Sequence, residues 1–337
     1  MAPEQGAPPG LPPPVVTASA GAPSPLARGT PSLLGVTDGI ASLDGSGSVR
    51  LGPFRLYGTL GSGAAGTVHL GRGAARRGAR KRLAAVRALR PELIRDRQLR
   101  AEVRRETLLA AEAVDSPYVA AALGCELDSE RPWLAAEFVP GVALATLVEQ
   151  YGPLPEPSLR ALGGAVARAL AALHAAGTAH RDLRPENVLL TGGAPRVVDH
   201  GAALGRTAWH GTSGASGDEE EAPGAPTGAR ADVFELGALL VFAATARHPF
   251  PGQLLPTARE GADMTGVPEA LRPALLACLH KTPESRPRAE TLVRALDLGN
   301  GAARPGSEWL PEPYLHEIGT LAEEARRLAG RRRFGRD

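Results

Sequence analysis

The 337-residue chain is nearly devoid of lysine: of its 38 basic residues only Lys81 and Lys281 are lysines, and the rest are arginines. Aromatic residues make up 4% of the chain and cysteine occurs twice, at Cys125 and Cys278. Two cysteines in apolar-leaning contexts exclude a disulfide framework and are expected as buried thiols in a reducing compartment. Charge of one sign is also lacking, with 38 basic against 36 acidic groups. No global field therefore calls for nucleic acid or an anionic membrane as partner. The apolar runs, such as 236–246, fall short of the roughly 20 residues that a bilayer requires. No basic start followed by an apolar segment marks a signal peptide, so the expectation is a cytoplasmic protein without a transmembrane segment.

What the chain has in excess is glycine (41) and proline (31). Residues 1–50 hold much of it and few charges, without period 2 or 3.6, and are expected to be a disordered leader. From Phe54 the texture changes. Phe54 and Leu56, then Val68 and Leu70, alternate about a glycine cluster as two strands joined by a turn, with a third strand over 83–89. A helix over 92–114 stops at Ser116-Pro117, and a strand pair covers 119–126 and 133–139. Helices are expected over 142–150, 157–176, 232–246, 268–280 and 288–297, with short strands at 188–190 and 196–198. Residues 202–229 form a long aperiodic loop. Leu315, Ile318, Ala322, Ala325 and Leu328 share a helical stripe over 313–329.

Three groups of residues carry chemistry. Gly61-Ser62-Gly63-Ala64-Ala65-Gly66-Thr67-Val68 lies between two strands, where glycines let backbone N–H groups approach a polyphosphate and Val68 covers a flat base. A plain hairpin turn accounts for the glycines equally well, and a dinucleotide fold would need a helix after the loop. His180-Arg181-Asp182-Leu183-Arg184-Pro185-Glu186-Asn187 follows a helix and precedes a strand. An Asp followed five residues later by an Asn can orient a hydroxyl and hold a metal ion together. Val198-Asp199-His200-Gly201 puts a carboxylate at a strand end, suited to Mg²⁺ bridging phosphates.

In this order the three groups resemble the eukaryotic-type protein kinase superfamily, and in particular the bacterial serine/threonine kinases. The resemblance spans about residues 53–298, supported by Asp232-Val233-Phe234-Glu235-Leu236-Gly237 and Arg286-Pro287. It implies an α+β bilobal fold with a β-rich N-lobe (53–137), a hinge (138–141) and a mainly helical C-lobe (142–298), followed by an amphipathic helix and basic tail (299–337). It implies ATP and Mg²⁺ as cofactors, with a protein substrate or protein partner. Asp182 matches the catalytic aspartate, and Asn187 and Asp199 match the metal ligands. Arg184 stands where a phosphate-facing lysine is usual. Gly61, Gly63 and Gly66 form the phosphate loop, and Val68, Ala85 and Leu189 sandwich adenine. The segment from Glu137 through Val139 to Gly141 faces the base behind Ala136 as a small gatekeeper.

Several positions depart from the pattern. The family's third-strand lysine falls at Arg87, where a planar fork replaces a compact ammonium. Lys81 is six residues away, roughly 20 Å along a strand, and cannot reach. Pervasive drift to arginine explains Arg87 equally well, and is most easily tolerated where phosphoryl transfer is slow. Glu106 is the expected ion-pair partner of Arg87, with Glu102 one turn earlier as the alternative. His200 replaces the usual Phe after the metal aspartate, and Ala222-Pro223-Gly224 lacks the glutamate that would pair with Arg286. Asp218 to Glu221 could lie against Arg181 or simply be solvated. The basic tail, Arg331 to Arg333 with Arg326, Arg327 and Arg336, allows weak contact with anionic surfaces, but no specific nucleic-acid site is expected.

Two functions therefore stand side by side. One is a serine/threonine kinase using Mg-ATP, weak because of Arg87, His200 and Gly224. The other is a catalytically impaired pseudokinase acting as a nucleotide-binding or scaffolding module. A small-molecule phosphotransferase is disfavoured by the full glycine loop.

Overall fold

A computed structural model describes residues 40–43, 49–63, 65–75, 78–200, 228–250, 261–296 and 309–330. Among these, the first lobe is built on strands β1 (Ala41–Ser42), β2 (Arg50–Leu51), β3 (Phe54–Gly63), β4 (Gly66–Gly73) and β5 (Arg82–Leu89). Helix α1 (Arg97–Ala113) follows, then β6 (Ala122–Glu126) and β7 (Trp133–Glu137). The strands form one sheet in the order β1-β3-β4-β5-β7-β6, with β2 also paired to β3. All of its described pairings are antiparallel. Burial alternates along β3, with Phe54, Leu56, Gly58 and Leu60 inward, as a half-covered strand requires. Strand β5 is different: Ala84, Ala85, Val86 and Arg87 are consecutively buried because both faces are covered.

The expected elements lie within a few residues of those observed. Helix α1 starts later than the sequence suggested, because Pro91–Ile94 forms a separate 3-10 turn and the Asp96 carboxylate accepts from Leu99 N at 2.9 Å. The leader needs a correction at its end. Ala41 and Ser42 pair with Thr59 and Gly58, and Ile40 is buried. An apolar Ile in a short β-pairing segment was hidden inside a Pro/Gly-rich stretch.

The second lobe comprises β8 (Val142–Ala143), α2 (Leu144–Tyr151), α3 (Glu156–Ala175), β9 (Val188–Leu190), β10 (Pro195–Val197), α4 (Ala229–Thr245), α5 (Arg272–Cys278) and α6 (Ala289–Leu296). Strands β10, β9 and β8 pair in that order as a small second sheet. Helix α3 is apolar on most of its circumference because α4, α6 and β10 surround it. Cys278 is fully buried on α5, which pushes its thiol up to about 12, whereas Cys125 is only half-buried.

Helix α7 (Glu312–Gly330) ends the described chain. Its buried stripe is Tyr314, Ile318, Leu321 and Ala325. That is rotated from the expected one, with Tyr314 and Leu321 in place of Leu315 and Ala322. The Tyr314 hydroxyl, bonded to Gly152 O, sets the rotation. Trp309 anchors the segment to the second lobe: its Nε1 donates to Thr191 O at 3.2 Å, and its carbonyl accepts from Ser158 Oγ at 2.6 Å.

Candidate active site

The glycine turn joins β3 to β4, with Gly61 opposite Val68 and Gly63 opposite Gly66. Gly66 has φ +140, and a Cβ there would lie 1.9 Å from Ala88 O, so no other residue fits. Ala64 at the turn's tip lies outside the described residues. Val68, Ala85, Val139 and Leu189 are all buried and belong to the large apolar cluster that runs through both lobes. The Glu137 carboxylate turns to Arg196 at 2.7 Å.

Arg87 on β5 is 3% exposed, and its guanidinium is paired with the Asp199 carboxylate. The expected partner, Glu106, is also buried, on α1, but it is paired with Arg181 instead. Arg181 reaches Glu102 as well, at 3.0 Å. Arginine suits this choice because its planar fork matches a carboxylate, which a lysine would meet as a point charge. Glu106 is left to the arginine that follows His180. Burial is the main influence on Glu106 and pushes its carboxyl up to about 7 although Arg181 opposes this. Lys81 is exposed beside the start of β5.

The loop from His180 to Asn187 is fixed by buried hydrogen bonds. Asp232 of α4 accepts from His180 N and Arg181 N, each at 2.8 Å, and its carboxylate lies 2.8 Å from His174 Nε2. These bonds hold Arg181 at φ 67, in the left-handed region that a side chain rarely adopts. His180 Nε2 lies 3.0 Å from Val198 O, while its Nδ1 accepts from Asp182 N at 3.2 Å. Burial lowers the His180 ring to about 4, so it is neutral, and this bonding pattern selects the Nε2–H tautomer.

Asn187 Nδ2 donates to Asp182 O at 2.8 Å and to Asp182 Oδ2 at 3.1 Å, which leaves its Oδ1 as a hard oxygen donor. Asp182 is pushed up to about 7, first by burial and then by the Asp199 and Glu186 charges, against Arg184 and the Asn187 bond. Arg184 is paired with Glu186 at 2.8 Å. Asp199, at φ 68, supplies the second hard donor. A carboxylate and an amide oxygen fit Mg²⁺, which keeps water and substrate phosphates as its other ligands.

His200 stands where the resemblance implies a phenyl ring. Its Nε2 lies 3.0 Å from Ala120 O, and its buried Nδ1 has no partner among the described residues. Burial lowers its pKa, so a neutral hydrogen-bonded ring fills the slot. A cavity of about 50 Å³ lies between Ala85, Arg87, Thr107, Ala136, Asp199 and His200, behind the small Ala136.

The site brings Arg87, Asp182, Asn187 and Asp199 together, and it separates Glu106 from Arg87. Sequence reasoning missed the bracing by Asp232, whose only sign was an acidic residue opening an apolar helix. It also missed that Arg286 is bonded to His280 O at 2.8 Å and Arg230 O at 3.0 Å, with its guanidinium 4.9 Å above the Phe234 ring. Gly201, residues 218–224, Thr207, Thr212, Ser213, Ser216 and the tail from Arg331 lie outside the described residues.

The description "protein kinase domain" matches residues 54–295. The serine/threonine-protein kinase AfsK of Streptomyces coelicolor is 37% identical over 281 residues, covering 78% of this chain and 34% of that protein. The probable serine/threonine-protein kinase PkwA of Thermomonospora curvata is 32% identical over 281 residues, covering 80% of this chain and 36% of that protein. The chain thus spans about a third of the length of these relatives. Among solved structures, the Mycobacterium tuberculosis PknI kinase domain aligns with a TM-score of 0.61 at 23% identity, over 76% of this chain and 99% of that one. That likeness shows the bilobal fold.

Proposed function

Since the chain belongs to the protein kinase domain family, we propose that it transfers the γ-phosphoryl group of ATP to serine or threonine hydroxyls of a protein, slowly. The observation that carries the reading is the Asp182–Asn187 bond with Asp199 nearby in charge range, an arrangement that presents an acceptor carboxylate beside two hard oxygen donors. Asn187 and Asp199 would hold Mg²⁺, which when bound neutralises charge on the phosphates.

This chain's own residues supply the rest. Asp182 orients the acceptor hydroxyl and takes its proton. The backbone of Gly61, Gly63 and Gly66 offers N–H groups to the phosphates, and Val68, Ala85, Val139 and Leu189 enclose the base with the backbone of Glu137 at its edge. Arg184 lies beside Asp182 and limits the rise of its pKa. Arg87 and Glu106 stand for the ion pair that the family places between sheet and helix, yet each is bound elsewhere. Arg87 must loosen from Asp199 before both can serve phosphate and metal, and this costs rate.

The same pair favours a second reading, a nucleotide-binding pseudokinase. No transmembrane element enters either reading: none of the described helices is long and apolar enough to cross a membrane. The test is transfer of labelled phosphate from Mg-ATP to the chain itself or to a basic model protein, with phosphoamino acid analysis, beside Asp182→Asn. Labelled serine or threonine that disappears in Asp182→Asn supports the kinase. Nucleotide binding with no label in either protein supports the pseudokinase.

A further inference from the structure

Helix α7 bridges the two lobes. It packs against α2 and β8 of the second lobe and against β3, the strand that runs into the glycine turn. Its lobe-spanning position is fastened at both ends. Near its start, Tyr314 is bonded to Gly152 O, and Glu317 Oε2 accepts from the Tyr151 hydroxyl at 3.2 Å. Near its end, Glu324 Oε2 accepts from Ile40 N at 3.3 Å, and the next two residues pair with Thr59 and Gly58 of β3. The segments before and after the catalytic domain thus meet through Ile40 and Glu324, beside Gly58 and Thr59 of β3.

A cleft that takes a planar base presents its apolar faces to solvent when empty. Here Leu60, Val68, Ala85, Val139 and Leu189 are each at most 5% exposed, and the buried stripe of α7, with Ile318, Leu321 and Ala325, joins the same apolar cluster. Ile40 belongs to it as well. The residues that would enclose a purine are therefore already buried within the protein.

We propose that α7, clasped to β3 by the Ile40 segment, is a built-in cap that closes the nucleotide cleft and competes with the adenine ring. The proposal rests on the nucleotide-binding reading above. Lifting the cap separates the fastenings at Glu317 and Glu324 and uncovers Leu60 and Val68, so nucleotide affinity depends on how firmly α7 is docked.

The test uses the full chain, trinitrophenyl-ATP as the probe and amide hydrogen exchange as a second readout. Leu321→Asp puts a charge into the buried stripe, and the double substitution Glu317→Ala with Glu324→Ala removes the bonds to Tyr151 and Ile40 while keeping the Tyr314 bond and the apolar packing. Both variants are expected to exchange faster over 54–63 and to bind the probe at least tenfold more tightly than the native chain, with the double variant reporting if Leu321→Asp fails to fold. Faster exchange with equal or weaker probe binding overturns the cap and leaves nucleotide binding intact. Unchanged exchange over 54–63 in the double variant also overturns it. Absence of probe binding in all three proteins overturns both the cap and the nucleotide reading.

Discussion

The Arg87 guanidinium is bonded to the Asp199 carboxylate, 112 residues away in sequence. The ion pair joins β5 to the second residue past the end of β10, and the two side chains are 4% and 10% exposed. In a site this dry, each charge depends on the other. Arg87→Met leaves Asp199 buried without its counter-ion and should cost about 3 kcal/mol. Adding Asp199→Asn should restore most of that loss. Urea unfolding of the two single variants and the double variant measures the coupling; additive losses would show that the pair is not held in solution.

Asp232 braces the loop that carries Asp182. Asp232→Ala strands the N–H groups of His180 and Arg181 in a buried setting, which should lower stability by about 2 to 4 kcal/mol. Because Arg181 is held at φ 67 by these bonds, the loop should relax as well. The measurements are thermal unfolding and hydrogen exchange over 178–187, where protection should fall more than it does in α5.

Glu106 gives the stability a pH dependence of definite sign. Its folded carboxyl, at about 7, lies above the ordinary value of 4.5, so between those limits the native chain binds more protons than the unfolded one. Stability from this group is present below pH 4.5 and is lost as pH rises through 7. Glu106→Gln should remove that component, so the difference in unfolding midpoint between variant and native chain should shift in the variant's favour from pH 5 to pH 8. A difference that is flat with pH would mean that Glu106 is ionised throughout.

Asp182 should titrate in the same range in the nucleotide-free protein. A protonated-carboxyl band in the infrared spectrum should fade through pH 7, and Asp182→Asn should remove part of it and Glu106→Gln the other part. Phosphoryl transfer by Asp182→Asn should drop by at least ~10²-fold at unchanged nucleotide affinity, the size expected for loss of a positioned base.

Much of the fold was legible because the chain keeps its periods. The alternation of Phe54, Leu56, Val68 and Leu70 and the apolar spacing after Pro157 translate into β3, β4 and α3, although α3 is buried round most of its circumference. The local constellations around Asp182 and Asp199 were equally legible, since their residues are close in sequence. What was not legible depends on long-range choice among equivalent partners. Arg87 could have met Glu106 or Asp199, and Glu106 could have met Arg87 or Arg181; spacing cannot decide between them, and three-dimensional reach does. The strand at Ala41 lacked any periodic signal, and the rotation of α7 follows from one tyrosine hydroxyl.

On the proposed function, the cation expected to meet phosphate, Arg87, is tied to the expected metal ligand Asp199, and so Arg87 limits the rate. Single-turnover transfer from Mg-ATP by the native chain, Arg87→Lys and Asp182→Asn tests this most directly. Transfer is expected in the native chain, about tenfold faster transfer in Arg87→Lys at saturating Mg²⁺, and background in Asp182→Asn. Equal or slower transfer in Arg87→Lys, or label that persists in Asp182→Asn, would contradict it.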